Sequence, residues 1–90
     1  MQFTITLGVL KNDQYQETSR FVVRVEAGDP TAEEILAAIP ASALPHYLLM
    51  KRDHLYLVEP TTRTTLQSST KVSTYGIAEG QLLWLMCAVR

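Results

Sequence analysis

The stretch from Thr70 to Val89, TKVSTYGIAEGQLLWLMCAV, constrains the fold more than any other. It runs from a polar approach through a turn at Tyr75-Gly76-Ile77 and a second turn at Glu79-Gly80 into a continuous apolar run. That run, Leu82 to Val89, is the most hydrophobic segment of the chain. A short apolar run that opens after a glycine predicts a strand buried on at least one face. Its hydrophobicity suits the middle of a sheet, where no edge meets solvent. Strand alternation sets Leu83, Leu85 and Cys87 on one face and turns Trp84 and Met86 to the other.

Ninety residues make one domain, residues 1–90, with material for one modest core. Eight basic and nine acidic side chains are spread along the chain and leave a net charge of −1, so no basic stripe recommends a nucleic-acid partner. Cys87 is the one cysteine, which excludes an internal disulfide and a cysteine-built zinc site. Residues 1–10 lack a basic start, and Thr4 and Thr6 interrupt their apolar pattern, unlike a signal peptide. The longest apolar run falls far short of the roughly 20 residues that span a bilayer. The expectation is a cytoplasmic chain with no direct membrane insertion.

Along the chain, Phe3, Ile5 and Leu7 alternate with Gln2, Thr4 and Thr6, which predicts a half-buried strand over residues 2–10. Residues 11–19 are polar and predict a connection, long for a tight hairpin, into which both strands extend. Residues 21–27, FVVRVEA, predict a second strand with Val23 and Val25 on one face. Thr31-Ala32-Glu33-Glu34 matches a capping box, and Asp29-Pro30 offers an alternative helix start. Ile35, Leu36 and Ile39 share a helix face with Ala32 beside them, and Pro40 stops the helix. Tyr47 to Lys51 reads as a third strand, Lys51 to His54 as a polar turn, and Leu55 to Glu59 as a fourth strand. The Thr- and Ser-rich residues 60–71 form a connection anchored by Leu66.

The order strand, strand, helix, strand, strand, strand predicts an α+β fold. A mixed sheet of four to five strands carries one short helix across its apolar face. This is the order of the β-grasp fold, and the residues carry the likeness further. Met1 to Leu7 resembles the opening strand of ubiquitin, and Val25 to Asp29 before a capped helix resembles its second strand and helix start. Tyr75 and Ile77, followed by Ala78-Glu79-Gly80-Gln81 and Leu83-Trp84-Leu85, resemble the turn and final strand of ubiquitin-like proteins.

Two departures shape what this resemblance implies. Ubiquitin-like modifiers and sulfur carriers end in a glycine pair, whereas this sequence reads Cys87-Ala88-Val89-Arg90. Conjugation and sulfur transfer are therefore the disfavoured alternatives. The helix is also shorter than ubiquitin's. A free-standing ubiquitin-like protein without that tail is similar to the bacterial YukD-like group, through Gly76-Ile77-Ala78-Glu79-Gly80-Gln81-Leu82. That likeness implies a cytosolic accessory of type VII (ESX/WXG100) secretion.

In ubiquitin the open sheet face is the main recognition surface. The resemblance therefore nominates Trp84 and Met86, with Tyr47 and Leu49 of the third strand, as a protein-interaction patch; Leu48 and Met50 replace the latter pair in the other register. Two structural alternatives stay open: the 60–71 connection folds over Trp84, or the register slips and Trp84 is core. Tyr75 reads as a packed ring whose hydroxyl meets a backbone group. Cys87 reads as a small buried hydrophobe. His46 and His54 flank the third strand at opposite ends, without metal-ligand spacing. Lys51, Arg52, Arg20 and Arg24 read as a solvated basic edge.

No acid, base and nucleophile set assembles from these residues, so the chain is not expected to be an enzyme, and no cofactor is expected. The leading expectation is a module that binds a partner protein, with Trp84→Ala abolishing capture while the fold survives. A self-associating structural domain is the third class, compatible with a homodimer.

Overall fold

The computed structural model describes residues 1–88; the end of the predicted apolar run at Val89, and the tail it leads into, lie outside the described residues. The strands are β1 (Gln2–Lys11), β2 (Gln14–Arg24), β3 (Leu55–Glu59), β4 (Thr64–Thr65) and β5 (Leu82–Cys87). Between β2 and β3 lie the helix α1 (Ala32–Ala38) and the single turn α2 (His46–Leu49). The sheet order is β2-β1-β5-β3-β4, with β1 parallel to β5 and the other neighbours antiparallel. The fold is α+β in the ubiquitin-like β-grasp arrangement.

The first hairpin is tighter than its polar sequence suggests. β1 and β2 extend through residues 11–19 and leave only Asn12-Asp13 as the turn, at φ 52 and 64. Two left-handed residues twist the turn with the strands, and Asn and Asp tolerate that region best after glycine. Phe3, Ile5, Leu7, Val23, Val25, Leu57, Leu83 and Leu85 are buried on the face that carries the helix. Ala32, Ile35 and Ile39 cover them.

Thr31 caps α1 through the full capping box: its Oγ1 accepts from the Glu34 amide at 3.2 Å while the Thr31 amide donates to Glu34 Oε1 at 3.0 Å. Asp29 is therefore not the cap. Its carboxylate accepts instead from the Ser73 amide at 3.1 Å and the Ser73 hydroxyl at 2.7 Å. These bonds and the Thr31–Lys71 bridge tie the Leu66–Gly76 connection to the start of α1. Leu66 is buried, and the Tyr75 hydroxyl accepts from the Gln67 amide at 2.9 Å. Gly76 ends the 3-10 turn Val72–Tyr75 at φ 71, a conformation glycine adopts without steric cost.

Residues 47–51 are not a strand. Pro45 presets φ at −64 and its carbonyl accepts from the Leu48 and Leu49 amides, so the chain winds into α2. Leu48 is buried and Leu49 packs against the core, a helical rather than alternating use of two adjacent leucines. The strand count is kept by β4, which pairs Thr64 and Thr65 with Glu59 and Val58 inside the predicted connection. His46 therefore opens a helical turn, and His54 ends the 3-10 turn Arg52–His54.

Arg52 is not a free surface charge either. Its Nη2 donates to the carbonyls of Leu36 at 2.9 Å and Ile39 at 2.6 Å, satisfying the end of α1 just before Pro40. Arg52→Ala is expected to lower stability by about 1.5 kcal/mol, the low end for a charged donor because the side chain is half-exposed. A urea midpoint unchanged from the parent chain would show that water replaces the guanidinium.

Glu59 closes the β3–β4 turn. Its carboxylate accepts from the Thr62 amide at 2.8 Å, the Thr61 amide at 3.2 Å and the Thr62 hydroxyl at 2.8 Å. The Thr62 amide leads in holding its pKa below the ordinary carboxylate value. The Ser73 hydroxyl does the same for Asp29. A depressed folded pKa adds stability above the unfolded pKa and loses it as pH falls through the folded one. Stability is thus expected to drop on acidification below the ordinary carboxylate range of about 4. Glu59→Gln combined with Asp29→Asn should flatten that drop in urea titrations at neutral and acid pH.

Candidate functional site

The alternation of β5 holds: Leu83 and Leu85 are buried under the helix, and Trp84 and Met86 are half-buried on the opposite side. Trp84 lies opposite Thr6 of β1 and Val58 of β3. Its indole is not open. Tyr15 stacks on it with ring centroids 4.1 Å apart and planes 9° from parallel. The Arg63 guanidinium lies 5.7 Å from the indole centroid.

The reason Tyr15 reaches so far is local. The β1–β2 register shifts between Leu7 and Gly8, so β2 carries one extra residue there. A bulge bends its strand and re-aims the side chains beyond it. An added Cβ on Gly8 would sit 2.5 Å from Tyr15 Cζ, so the bare backbone of Gly8 is what the ring lies across. The phenol then bonds Thr6 Oγ1 at 2.9 Å and donates to the Thr6 carbonyl at 3.1 Å, leaving the buried Thr6 hydroxyl satisfied. Burial pushes the Tyr15 pKa up, so the phenol keeps its proton and remains a donor.

Arg63 completes the cover. Its backbone is left-handed at φ 56, and its Nη2 donates to the Asp13 carbonyl at 2.8 Å. The β3–β4 turn is thereby joined to the tip of the first hairpin across the indole. The connection after β3 does fold over Trp84, through this one arginine. Trp84→Ala consequently removes an aromatic stack and a cation–π contact together, and reads stability as well as binding.

Tyr47 and Met86 meet elsewhere. Both line an apolar groove of about 290 Å³ at the end of the sheet, together with Leu7, Val9, Leu10, Leu48, Leu55 and Leu85. Tyr47 is 66% exposed, Val9 49% and Leu10 50%, so three of the five large apolar side chains left in solvent among the described residues rim one concavity. Met50, 75% exposed, follows α2 and lines a separate small hollow with Lys51, His54 and Ala88. Cys87 also lines the groove and is half-buried rather than sealed in the core. Leu49 packs against the core instead. The four nominated residues are thus divided: Tyr47 and Met86 share the groove, Trp84 lies beneath Tyr15, and Leu49 supports α2.

A wider, more open concavity of about 670 Å³ lies along Glu59, Thr61, Thr62, Thr64 and Gln81. Its carboxylate is already engaged by the turn it closes and by Gln81 Nε2 at 3.4 Å, so it is a structural hollow. Among the described residues no three His, Cys, Asp or Glu side chains converge as metal ligands, and no helix is long and apolar enough to cross a membrane.

Val9, Leu10, Tyr15 and Arg63 are the contributors that the sequence did not nominate. Gly8 inside an alternating strand was the available signal, since such a glycine marks a bulge or a close approach. No family model and no curated protein matches the chain, so its placement rests on the β-grasp architecture and on the groove at the end of its sheet.

Proposed function

We propose that this chain is a non-conjugated ubiquitin-like interaction module that seats a partner protein at the Tyr47–Met86 groove, as a cytoplasmic accessory of a type VII secretion system. The carrying observation is the clustering of exposed Val9, Leu10 and Tyr47 around one apolar concavity. Apolar groups gathered in this way mark partner sites, whereas single exposed ones do not. The secretion part of the reading comes from the likeness of the Gly76–Leu82 turn and strand to the YukD-like group.

Co-expression with the ATPase of a type VII system tests both parts. The ATPase is expected to co-purify with the tagged chain, and Tyr47→Asp is expected to abolish this without lowering the thermal midpoint. Equal recovery with the parent chain and the variant would remove the groove from the reading. Failure of the ATPase to co-purify with either would remove the secretion assignment.

A further inference from the structure

We infer that the groove is a strand-addition site, in which an extended segment of the partner pairs its backbone with Val9–Lys11 on the side of β1 that faces β5. The inference rests on the reading of the chain as a protein-binding module and specifies how it would bind.

The first support is the sheet itself. β1 runs to Lys11, but its ladder with β5 ends at Leu7↔Leu85. β5 continues through Met86 and Cys87 paired with β3 alone, opposite Tyr56 and Leu55. From Val9 to Lys11, no strand among the described residues pairs with this side of β1. Backbone donors and acceptors along such an edge are a template for another chain.

The position of the hairpin beyond the end of this ladder is built in. The bulge after Leu7 bends the hairpin, the Tyr15 ring crosses Gly8 onto Trp84, and Arg63 holds the Asp13 carbonyl. These contacts hold the hairpin tip to β5 and to the β3–β4 turn, so the Val9–Lys11 edge is fixed in place before a partner arrives. Preorganisation of this kind lowers the ordering cost of binding.

The side chains along the edge define the occupant. Leu7, Leu48, Leu55 and Leu85 floor the groove, and Val9, Leu10, Tyr47 and Met86 stand at its sides. No aspartate or glutamate lines it. Exposed Lys11 follows Leu10 at the end of β1, and exposed Lys51 follows Met50 after α2. The matching segment is extended, apolar at alternate positions, and acidic at a flank. Among the described residues no strand pairs with the outer edge of β2 either, but that strand carries Glu17, Arg20 and Arg24 and gives the groove only Thr18, so it offers backbone without apolar seats.

The test uses random peptides displayed on phage and panned on the intact chain, followed by NMR with the enriched peptide as a synthetic probe. Enriched peptides are expected to alternate apolar residues beside an acidic flank. Their binding should slow hydrogen exchange at the Leu10 amide. Methylating alternate backbone nitrogens of the peptide should weaken binding by about tenfold or more, as should Val9→Asp or Tyr47→Asp in a chain that circular dichroism shows to be folded. The inference is overturned if no peptide is enriched, or if protection appears on β2 or around Trp84. It is also overturned if methylation has no effect, or if light scattering shows that a second copy of the chain occupies the groove. Peptide addition without ATPase co-purification would leave strand addition standing and remove the secretion reading; co-purification insensitive to Val9→Asp would do the reverse.

Discussion

Gly8→Ala is expected to lose about 2–4 kcal/mol of stability, far more than a methyl group added to an ordinary strand position. Its Cβ would lie 2.4 Å from the Gln16 carbonyl oxygen, 2.5 Å from Tyr15 Cζ and 2.7 Å from the Tyr15 hydroxyl oxygen. The ring can retreat, but only by leaving the Trp84 stack and both Thr6 contacts. The carbonyl belongs to the paired backbone of β2 and has no such freedom. Two measurements check this. The urea midpoint should fall by about 1–2 M, given a slope of about 2 kcal/mol per molar for a domain of this size. The near-ultraviolet circular dichroism of the Tyr15–Trp84 pair should also be lost. Adding Tyr15→Ala to Gly8→Ala should recover only part of the stability, because the contact with Gln16 persists. Full recovery would assign the whole effect to the ring and acquit the backbone.

Phe3→Ala is expected to be still more damaging, at about 3–5 kcal/mol. Phe3 is fully buried on the central pair of strands, beside Ile5 and Val23 and under the helix that Ile35 presents. Removing the ring forfeits its transfer free energy and leaves a cavity that a sheet held on both sides of β1 cannot close. A domain of ninety residues has about 5–13 kcal/mol in total, so this change brings it near the unfolding threshold. The expected observation is a denaturation midpoint lowered by about 2 M urea, or a chain already unfolded in buffer. A loss below about 1 kcal/mol would mean that the site collapses freely and is not the centre of the core.

The architecture was legible because its determinants are local or periodic. The alternation Phe3-Ile5-Leu7, the capping box at Thr31–Glu34 and the run opening at Leu82 each specify an element by themselves. The third strand was misread for a physical reason: Tyr47-Leu48-Leu49-Met50 is too short for its period to separate a strand from a helical turn. Pro45, which presets the turn, was the deciding residue. The site was less legible still. Tyr15 stood in a polar stretch that read as a connection, and its partnership with Trp84 depends on a register shift within its own hairpin. Arg63 contributes through a left-handed backbone and a bond to Asp13, fifty residues earlier in the chain. Neither contact has a signature in sequence spacing. The parity of Trp84 and Met86 followed from β5 alone, but which of them lies covered depended on the hairpin.

The parallel neighbours β1 and β5 also bear on how the protein is made. Thr4–Leu7 finds its partners in Leu82–Leu85, so the first of these two central strands is synthesised long before the second. During translation, Phe3 and Ile5 emerge before Leu83 and Leu85 and wait beside an empty lane in the sheet. Until β5 leaves the ribosome, β1 and β3 have no strand to join them, and the inner edge of β1 is open along its whole length. Domains dominated by such distant pairings fold slowly and expose unpaired edges meanwhile. The nascent chain should therefore stay protease-sensitive until β5 has cleared the exit tunnel, and then become resistant in a single step.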